Sequence, residues 1–340
     1  MTALIYSQEY KKHENKFHPE NNERLISIMD HVYKEDSFRD LDILSPEIAS
    51  EYDLLRVHSK SHVNFIETFC KNGGGNIDFD TYATPQSYHI SKLSAGGAIT
   101  ASKIVVEDDT SAYSIGRPPG HHATADKSMG FCIFNNTAIA IEYLREVHKI
   151  KRFFVFDCDV HYGNGTADIF YQDPDVFYIS IHQDPSTIFP GKGYVDEMGL
   201  LEGEGLNLCI PMPSYSNTND YVYILEKILK PAAQQFQPDI CFLDIGFDGH
   251  MNDPLSNINL DDYFYQWITL KMKEINPNLV LILEGGYDLE ALGRCNVKVL
   301  NALENHIKNS DHNLDFSNVS GEIKNLFKTI KDNFSPFFEF

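Results

Sequence analysis

Short apolar runs alternate along the chain with longer segments in which apolar residues recur every three or four positions. Six runs rich in β-branched and aromatic residues predict strands, and several are apolar throughout, as expected for parallel strands covered on both faces. These predicted strands cover residues 112–115, 153–156, 176–181, 206–210, 240–245 and 279–283. Helical periodicity predicts helices over residues 23–34, 61–71, 85–107, 136–148, 220–235, 261–275 and 289–307.

The alternation of strands and helices predicts an α/β fold of three layers, in which helices cover both faces of a mainly parallel central sheet. No internal repeat or low-complexity linker divides the chain, so we treat residues 1–340 as a single domain. Its core is expected over residues 1–308, and residues 309–340 are expected to form a C-terminal appendage. Pro231 is expected to end or kink the helix in which it lies.

Composition and charge narrow the class of protein. The 42% of hydrophobic and 23% of charged residues are ordinary for a soluble globular chain. The formal net charge of −21 repels nucleic-acid phosphates, so direct nucleic-acid binding is not expected, whereas cationic ligands such as lysine-rich peptides or polyamines would be attracted. No apolar run is long enough to span a membrane.

The six cysteines form no C-x-x-C pair, which predicts buried, reduced thiols rather than a zinc ribbon or a disulfide framework. The first ten residues contain no apolar segment typical of a secretory signal. Both features favour a cytoplasmic location. The sequence leaves the oligomeric state open.

Unusual polar residues follow four of the predicted strands. The clusters are Gly-Arg-Pro-Pro-Gly-His-His at 116–122, Asp-Cys-Asp-Val-His at 157–161, Gly-Phe-Asp at 246–248 and Glu-Gly-Gly-Tyr at 284–287. Ligands of open parallel sheets bind outside the carboxyl ends of the strands. The four clusters therefore predict one shared site.

The second and third clusters contain a candidate metal-binding set. Asp157, Asp159 and His161 alternate with other residues, so extended geometry would direct all three to one face. Asp159 and His161, joined by Asp248 from another strand end, would give two carboxylates and one imidazole, with positions left open for water and substrate. Taken alone, the Asp-x-Asp-x-His pattern is more often a set of hydrogen bonds at a strand end, and the other clusters are what favour a metal site.

The other two clusters contain candidate acid–base groups. A histidine at 121 or 122, close to a metal, could take a proton from water, and Asp157 could orient that imidazole. Tyr287 follows two glycines and could donate its phenol O–H to a developing oxyanion. The alternatives are an ordinary structural loop for the histidines and a half-buried structural tyrosine.

Aromatic residues supply candidate walls for a substrate channel. Phe131, next to Gly130, and Phe189 could enclose the extended stem of an acyl-lysine, although single phenylalanines are more often core residues. Leu255 follows Asp253-Pro254 and is included as a candidate channel residue.

Together these motifs resemble the histone deacetylase superfamily, which includes acetoin-utilisation proteins and acetylpolyamine amidohydrolases. The resemblance runs in family order over roughly residues 5–305. It is carried by residues 117–123, 130–136, 157–166, 180–182, 189–191, 246–248 with 253–254, and 284–287, with His18-Pro19 and Arg24 as an N-terminal signature.

The resemblance implies the arginase–deacetylase fold and a metal held by Asp159, His161 and Asp248. Zinc suits that set, and Fe(II) also accepts such ligands. A potassium ion would lie beside this metal, on the main-chain oxygens of Asp157, Asp159 and His161 and the side chain of Ser180.

The resemblance also implies roles in catalysis. His121 would be the general base with Asp157 behind it, His122 would protonate the leaving amine, and Tyr287 would polarise the acetyl carbonyl. Asn164 departs from the class I enzymes, which often have aspartate behind the second histidine, and looks like the class II and bacterial branches. A permanently cationic His122 is therefore less expected.

Four functions are consistent with these residues. The leading hypothesis is hydrolysis of Nε-acetyl-lysine in a protein or peptide, with release of acetate. A second is deacetylation of small amines such as acetylpolyamines, which the net charge of −21 favours because it attracts cationic ligands. The absence of glutamate at Leu255 weakens that second hypothesis, because one polyamine-preferring branch has a glutamate there. An arginase-like two-metal hydrolase and a non-catalytic deacetylase-like binding module are the remaining alternatives.

Overall fold

The structure, a computed structural model, describes residues 2–306 and 314–340. Its strands are Ala3–Ile5 (β1), Asp42–Leu44 (β2), Gly75–Asn76 (β3), Tyr82–Ala83 (β4), Ala112–Ser114 (β5), Phe153–Asp157 (β6), Val176–Gln183 (β7), Asn207–Met212 (β8), Ile240–Ile245 (β9) and Leu279–Leu283 (β10). Eight of them form one sheet in the order β2-β1-β5-β10-β9-β6-β7-β8. All neighbouring strands in it are parallel, while β3 and β4 form a separate antiparallel pair.

The α-helices are Glu23–Lys34 (α1), Glu51–Leu54 (α2), Lys60–Lys71 (α3), Ser87–Asp108 (α4), Asn136–Tyr143 (α5), Asn164–Phe170 (α6), Thr218–Phe236 (α7), Asp262–Ile275 (α8), Leu289–Leu303 (α9) and Gly321–Phe334 (α10). A π-helical turn, Leu144–His148, continues α5. Short 3₁₀ segments occupy Gln8–Lys12, Asp36–Phe38 and Leu201–Gly203. No helix in the described ranges is both long and apolar enough for a membrane span.

Helices cover both faces of the sheet. Residues of α1, α7, α8 and α9 pack with one face, and α4 and α5 pack with the other. Because both faces are covered, β6, β9 and β10 are buried at every position and show no polar alternation. This confirms the predicted three-layer α/β class, and the main sheet is parallel throughout.

Several predicted boundaries differ from the structure. Strands β1 to β4 were not predicted, since none of these two- or three-residue segments was recognised as a strand-like run, whereas β5 lies within the predicted run 112–115. Of the two outcomes expected at Pro231, an end of the helix or a kink, the end is wrong, because α7 continues through it to Phe236. The buried residues Ile228, Ala232 and Ala233 lie on both sides of the proline, and their packing retains the helix. The helix predicted over 289–307 ends at Leu303. Its predicted last residue and the predicted core boundary near 308 lie outside the described residues.

The C-terminal segment packs on the same core as the rest of the chain. Helix α10 buries Ile323, Ile330 and Phe334, and it contacts α7 and β8. Beyond it, the buried ring of Phe338 stacks on Phe177 of β7, with 4.7 Å between ring centroids. The terminal residues thus cover one edge of the apolar core.

We predict that Phe338→Ala lowers the free energy of unfolding by about 2–4 kcal/mol, because it removes a buried ring from a packed site. Urea unfolding followed by circular dichroism measures the change. Phe79→Ala is the matched control, since Phe79 is fully exposed. Equal unfolding midpoints for the two variants would contradict the packing described for this segment.

Candidate metal centre and active site

The carboxyl ends of neighbouring strands bring the four predicted clusters together. Strands β5, β10, β9 and β6 are adjacent in the sheet, and their following loops carry the clusters at 116–122, 284–287, 246–248 and 157–161 respectively. All parallel strands end at the same edge, so one site collects side chains that lie far apart in sequence.

Asp159, His161 and Asp248 converge on one point. His161 Nδ1 lies 3.1 Å from Asp159 Oδ1 and 3.1 Å from Asp248 Oδ2. Backbone N–H groups fix the carboxylates: Val160 donates to Asp248 Oδ1 at 3.0 Å, and Gly285 donates to Asp159 Oδ2 at 2.8 Å. Both carboxylates are buried. The oxygen and nitrogen atoms that could bind a metal therefore lie in a fixed arrangement.

The electrostatics of this cluster suit a cation. Burial lowers the pKa of His161, but hydrogen bonds to Asp159 and Asp248 outweigh it and raise the pKa to about 10. Two buried carboxylates thus favour a positive charge between them, as expected where desolvated anions need compensation. Two carboxylates with one imidazole are a suitable donor set for a divalent metal such as zinc or Fe(II).

Two other groups of metal-ligand residue types occur among the described residues, and each contains a cysteine: His121 with Cys132 and Glu284, and His250 with Asp262 and Cys295. In the second group, Arg294 already pairs with both oxygens of Asp262 at 3.0 and 3.1 Å. In the first, one oxygen of Glu284 accepts the backbone N–H groups of Gly120 and His121. The Asp159 cluster is therefore the better candidate.

His121 is paired with a carboxylate. Its Nδ1 donates to Asp157 Oδ2 at 2.9 Å, and the hydroxyl of Tyr178 donates to the same oxygen at 2.7 Å. Its Nε2 lies 3.8 Å from Asp159 Oδ1, so the free side of the ring faces the metal-ligand cluster. Burial lowers the pKa of His121, but Asp157 and Asp159 outweigh it and raise the pKa well above the usual value.

His122 has the opposite electrostatic setting. Its Nδ1 donates to the side-chain oxygen of Asn164 at 2.8 Å, so a neutral amide lies behind this ring. Burial and the imidazoles of His121 and His161 lower the pKa of His122 well below its usual value. The centroids of the His121 and His122 rings are 4.0 Å apart. The pair therefore combines one imidazole with a raised pKa and one with a lowered pKa.

A narrow cavity of about 60 Å³ leads to these groups. It is lined by Asp80, Pro119, His121, His122, Gly130, Phe131, Asp159, His161, Phe189, Gly285 and Tyr287. A larger depression of about 330 Å³, near Glu35 and Lys298, contains none of the predicted site residues. The small cavity is therefore the one that is lined by candidate catalytic and metal-binding residues.

Close packing narrows the cavity. Gly130 has φ +55°, and a Cβ there would lie 2.4 Å from His122 Cδ2 and 2.9 Å from Phe189 Cε1. Only glycine fits that space and that backbone conformation. The half-buried Phe131 ring meets the Tyr287 ring edge-on, with centroids 5.6 Å apart. Phe131, Phe189 and Tyr287 are the aromatic residues among those that line the cavity.

Some of the predicted site residues are not among those that line the cavity. Leu255, a candidate channel residue, is not among the residues that line the cavity, and its backbone N–H donates to Asp253 at 3.0 Å. Ser180, a candidate potassium ligand, pairs in register with Asp157, and its Oγ lies 2.9 Å from His182 Nδ1.

Sequence reasoning missed Asp80, which lines the cavity. It lies in the turn between β3 and β4, where its main-chain oxygen is 2.9 Å from His18 Nε2. The flanking strands β3 and β4 have two residues each, too few to show a pattern in the sequence, so only the fold of the hairpin reveals it. Asp80 is thus an acidic residue among those that line the cavity.

A buried ion network supports the loop that carries the histidines. Glu20 accepts from Arg117 Nε and Nη2 at 2.8 Å each, and Arg24 lies 3.3 Å from the same carboxylate. Burial raises the pKa of Glu20, but the two guanidinium groups, chiefly Arg117, outweigh it and lower the pKa to about 2. Arg24 also donates from Nε to the main-chain oxygen of Gly286 at 2.7 Å. The network thus ties both the 117–122 loop and the Tyr287 loop to the N-terminal segment.

Comparison with known proteins agrees with this geometry. Residues 18–303 match the family model of the histone deacetylase domain. A probable deacetylase of Methanothermobacter thermautotrophicus is 45% identical over 338 residues, covering 99% of this chain and 100% of that protein. A histone deacetylase-like amidohydrolase of Pseudomonas aeruginosa is 35% identical, covering 84% of this chain and 76% of that protein.

The crystal structure of the HDA15 HD domain superposes with a TM-score of 0.92 at 26% identity, covering 99% of this chain and 95% of that one. The chain belongs to the histone deacetylase family. The resemblance inferred from the motifs is therefore confirmed, and membership supports a hydrolytic deacetylase function.

We predict that the purified chain binds one zinc ion and that Asp248→Asn lowers the affinity by at least roughly tenfold, because a charged ligand is lost. Metal analysis after dialysis and competition with a chromophoric chelator measure both quantities. Asp262→Asn, in the cluster already neutralised by Arg294, is the control and should keep the ion. Two tightly bound ions per chain would instead favour the arginase-like alternative.

Proposed function

We propose that the chain hydrolyses the acetyl amide of Nε-acetyl-lysine in a protein or peptide, releasing acetate and the free amine. The single observation that carries this proposal is the narrow cavity whose walls combine two histidines and a tyrosine with the Asp159–His161 pair. A volume of about 60 Å³ suits an unbranched acyl-amine stem better than a bulky group. Membership of the histone deacetylase family supports the reaction class.

Asp159, His161 and Asp248 would hold the divalent metal, zinc by the chemistry of its ligands. When bound, this ion would supply Lewis-acid chemistry by polarising the amide carbonyl and lowering the pKa of a water molecule. A potassium ion on the main-chain oxygens of Asp157, Asp159 and His161 with Ser180, the cytoplasmic location and the lack of nucleic-acid binding stay predictions from the sequence.

The chain's own groups would move the protons. We assign His121, oriented by Asp157, as the base that accepts a proton from water, and His122 as the acid that protonates the leaving amine. The lowered pKa of His122 also supports the reverse order, because a neutral imidazole is ready to accept a proton. An acetyl aryl ester distinguishes the two assignments, because its leaving group needs no acid. With this substrate His122→Ala should regain activity and His121→Ala should not.

Tyr287 would act on the carbonyl. Its phenol lies at the cavity, and burial raises its pKa well above the usual value, so the hydroxyl keeps its proton and can donate it in a hydrogen bond. A donor directed at the developing oxyanion stabilises the transition state more than the ground state. Arg24, with Cζ 5.1 Å from the ring centroid, packs against this tyrosine.

We predict that Tyr287→Phe and His121→Ala each lower kcat for an acetyl-lysine peptide by roughly 10²-fold or more, because each removes a group needed in the transition state. Acetate release by the zinc-loaded enzyme measures the rates. Tyr33→Phe, an exposed tyrosine on α1, is the control and should leave kcat unchanged. Variants as active as the wild type would overturn the proposed mechanism.

A second candidate is deacetylation of a small acetylated amine such as an acetylpolyamine. The Asp80 carboxylate at the cavity wall and the net charge of −21 favour a cationic substrate. The same features also suit a lysine-rich peptide, which extends over more of the surface around the mouth.

We therefore predict that kcat/KM for acetyl-lysine peptides exceeds that for acetylpolyamines by about tenfold or more, or about 1.4 kcal/mol in transition-state binding. Parallel assays of both substrate classes on one enzyme preparation measure the ratio. The opposite preference would replace the peptide with the small amine as the proposed substrate.

A further inference from the structure

The Asp253 carboxylate connects the loop after β9 with the loop that carries Tyr287. Asp253 is buried, and its Oδ2 accepts the backbone N–H groups of Tyr287 at 2.6 Å and Asp288 at 3.1 Å. Its Oδ1 accepts the backbone N–H of Leu255 at 3.0 Å. One carboxylate thus bonds three backbone donors that belong to two loops.

Other hydrogen bonds hold the main chain of the Tyr287 loop on the side before the tyrosine, and Phe247 N donates to the oxygen of Gly285 at 3.0 Å. Gly285 donates to Asp159 at 2.8 Å, and the oxygen of Gly286 accepts from Arg24 at 2.7 Å. These bonds hold the residues before the tyrosine. The backbone N–H of Tyr287 itself donates to Asp253. Asp253 therefore holds the residue whose long phenol side chain enters the site.

The loop that carries Asp253 is itself fixed. Ser256 Oγ donates to the main-chain oxygen of Asp248 at 2.6 Å. His250 Nε2 lies 3.0 Å from Asp262 Oδ1 on α8. Asp253 therefore connects Tyr287 to a rigid segment whose first residue is a candidate metal ligand.

We propose that Asp253 is a positioning residue, which holds the main chain of Tyr287 so that the phenol meets the acetyl carbonyl. This inference rests on the proposed function. Productive geometry has to be kept within about 0.5 Å, and a small rotation at the backbone is amplified at the end of a tyrosine ring. Asp253 acts through Tyr287 and does not itself contact the substrate cavity.

Asp253→Asn is the informative substitution. Asparagine has a similar shape, but it has only one acceptor oxygen, so it cannot serve the donors on both sides. Asp239→Asn is the matched control, because Asp239 Oδ2 likewise accepts two successive backbone N–H groups, those of Lys151 at 3.2 Å and Arg152 at 2.9 Å. Asp239 precedes β9, at the edge of the sheet opposite to the site.

The test compares acetyl-lysine with trifluoroacetyl-lysine peptides on zinc-loaded enzyme. The trifluoroacetyl carbonyl is more electrophilic and needs less help from a hydrogen-bond donor. We expect Asp253→Asn to lower kcat on acetyl-lysine by roughly 10- to 100-fold with KM changed less than about threefold. The ratio of trifluoroacetyl to acetyl kcat should rise, as in Tyr287→Phe, while Asp239→Asn should match the wild type in both.

Equal losses of kcat on the two substrates, or a loss that follows lower zinc content, would overturn the inference. Thermal unfolding and metal analysis of the same samples separate these cases. If Asp253→Asn does not fold, Asp253→Ser, which is smaller and retains one acceptor oxygen, is the second variant. Failure of both to fold would also contradict the inference, because the carboxylate would then serve the fold. A wild-type chain that turns over neither peptide would refute the proposed function instead.

Discussion

Two buried carboxylates that face one imidazole nitrogen are the interaction on which the rest of the site depends. The 3.1 Å separations of His161 Nδ1 from Asp159 and Asp248 concentrate negative charge where water is largely excluded. Such an arrangement is costly unless a cation or a proton occupies it. The parallel sheet brings the two carboxylates together, because β6 and β9 are neighbours and end at the same edge. Backbone N–H groups of residues 160 and 285 then hold the carboxylate oxygens in place.

The proton-transfer groups and the tyrosine are arranged around this centre by different means. Asp157 ends β6 and binds His121, so the proposed base is held by the same strand that leads to the candidate metal ligands. Asn164 at the start of α6 gives His122 a neutral partner. Burial lowers the pKa of both imidazoles, but Asp157 and Asp159 outweigh it at His121, whereas His121 and His161 lower the pKa of His122 further. Tyr287 depends on neither, and its backbone is held by the loop after β9.

The sequence predicts the elements whose signal is local. Buried strands such as Phe153–Asp157 and Leu279–Leu283 are recognisable because each is apolar at nearly every position, and the polar residues that follow them indicate the site. The three-residue strand Ala3–Ile5 gives no such signal in the sequence. It is recognised as a strand by its pairing with β2 and β5 in the sheet. Pro231 shows the same limit, since packing on both sides outweighs a local preference.

The contacts that refine the site are also non-local. Asp80 reaches the cavity through a short hairpin, and Asp253 reaches the backbone N–H of Tyr287 across 34 residues of sequence. Leu255 was placed in the channel by its position in a motif, yet its backbone instead takes part in the hydrogen bonds of Asp253. Residue types and spacing indicate candidate ligands and bases, because their chemistry is distinctive. They do not identify supporting groups, whose roles depend on which loops lie side by side.

X-ray absorption spectroscopy at the zinc edge tests the central claim most directly, because both alternative ligand clusters contain a cysteine. Coordination by Asp159, His161 and Asp248 predicts a shell of nitrogen and oxygen scatterers only, at about 2.0–2.2 Å, with the multiple-scattering pattern of one imidazole. A sulfur scatterer at about 2.3 Å would place the ion elsewhere and contradict the account, as would a second metal at about 3.5–4 Å.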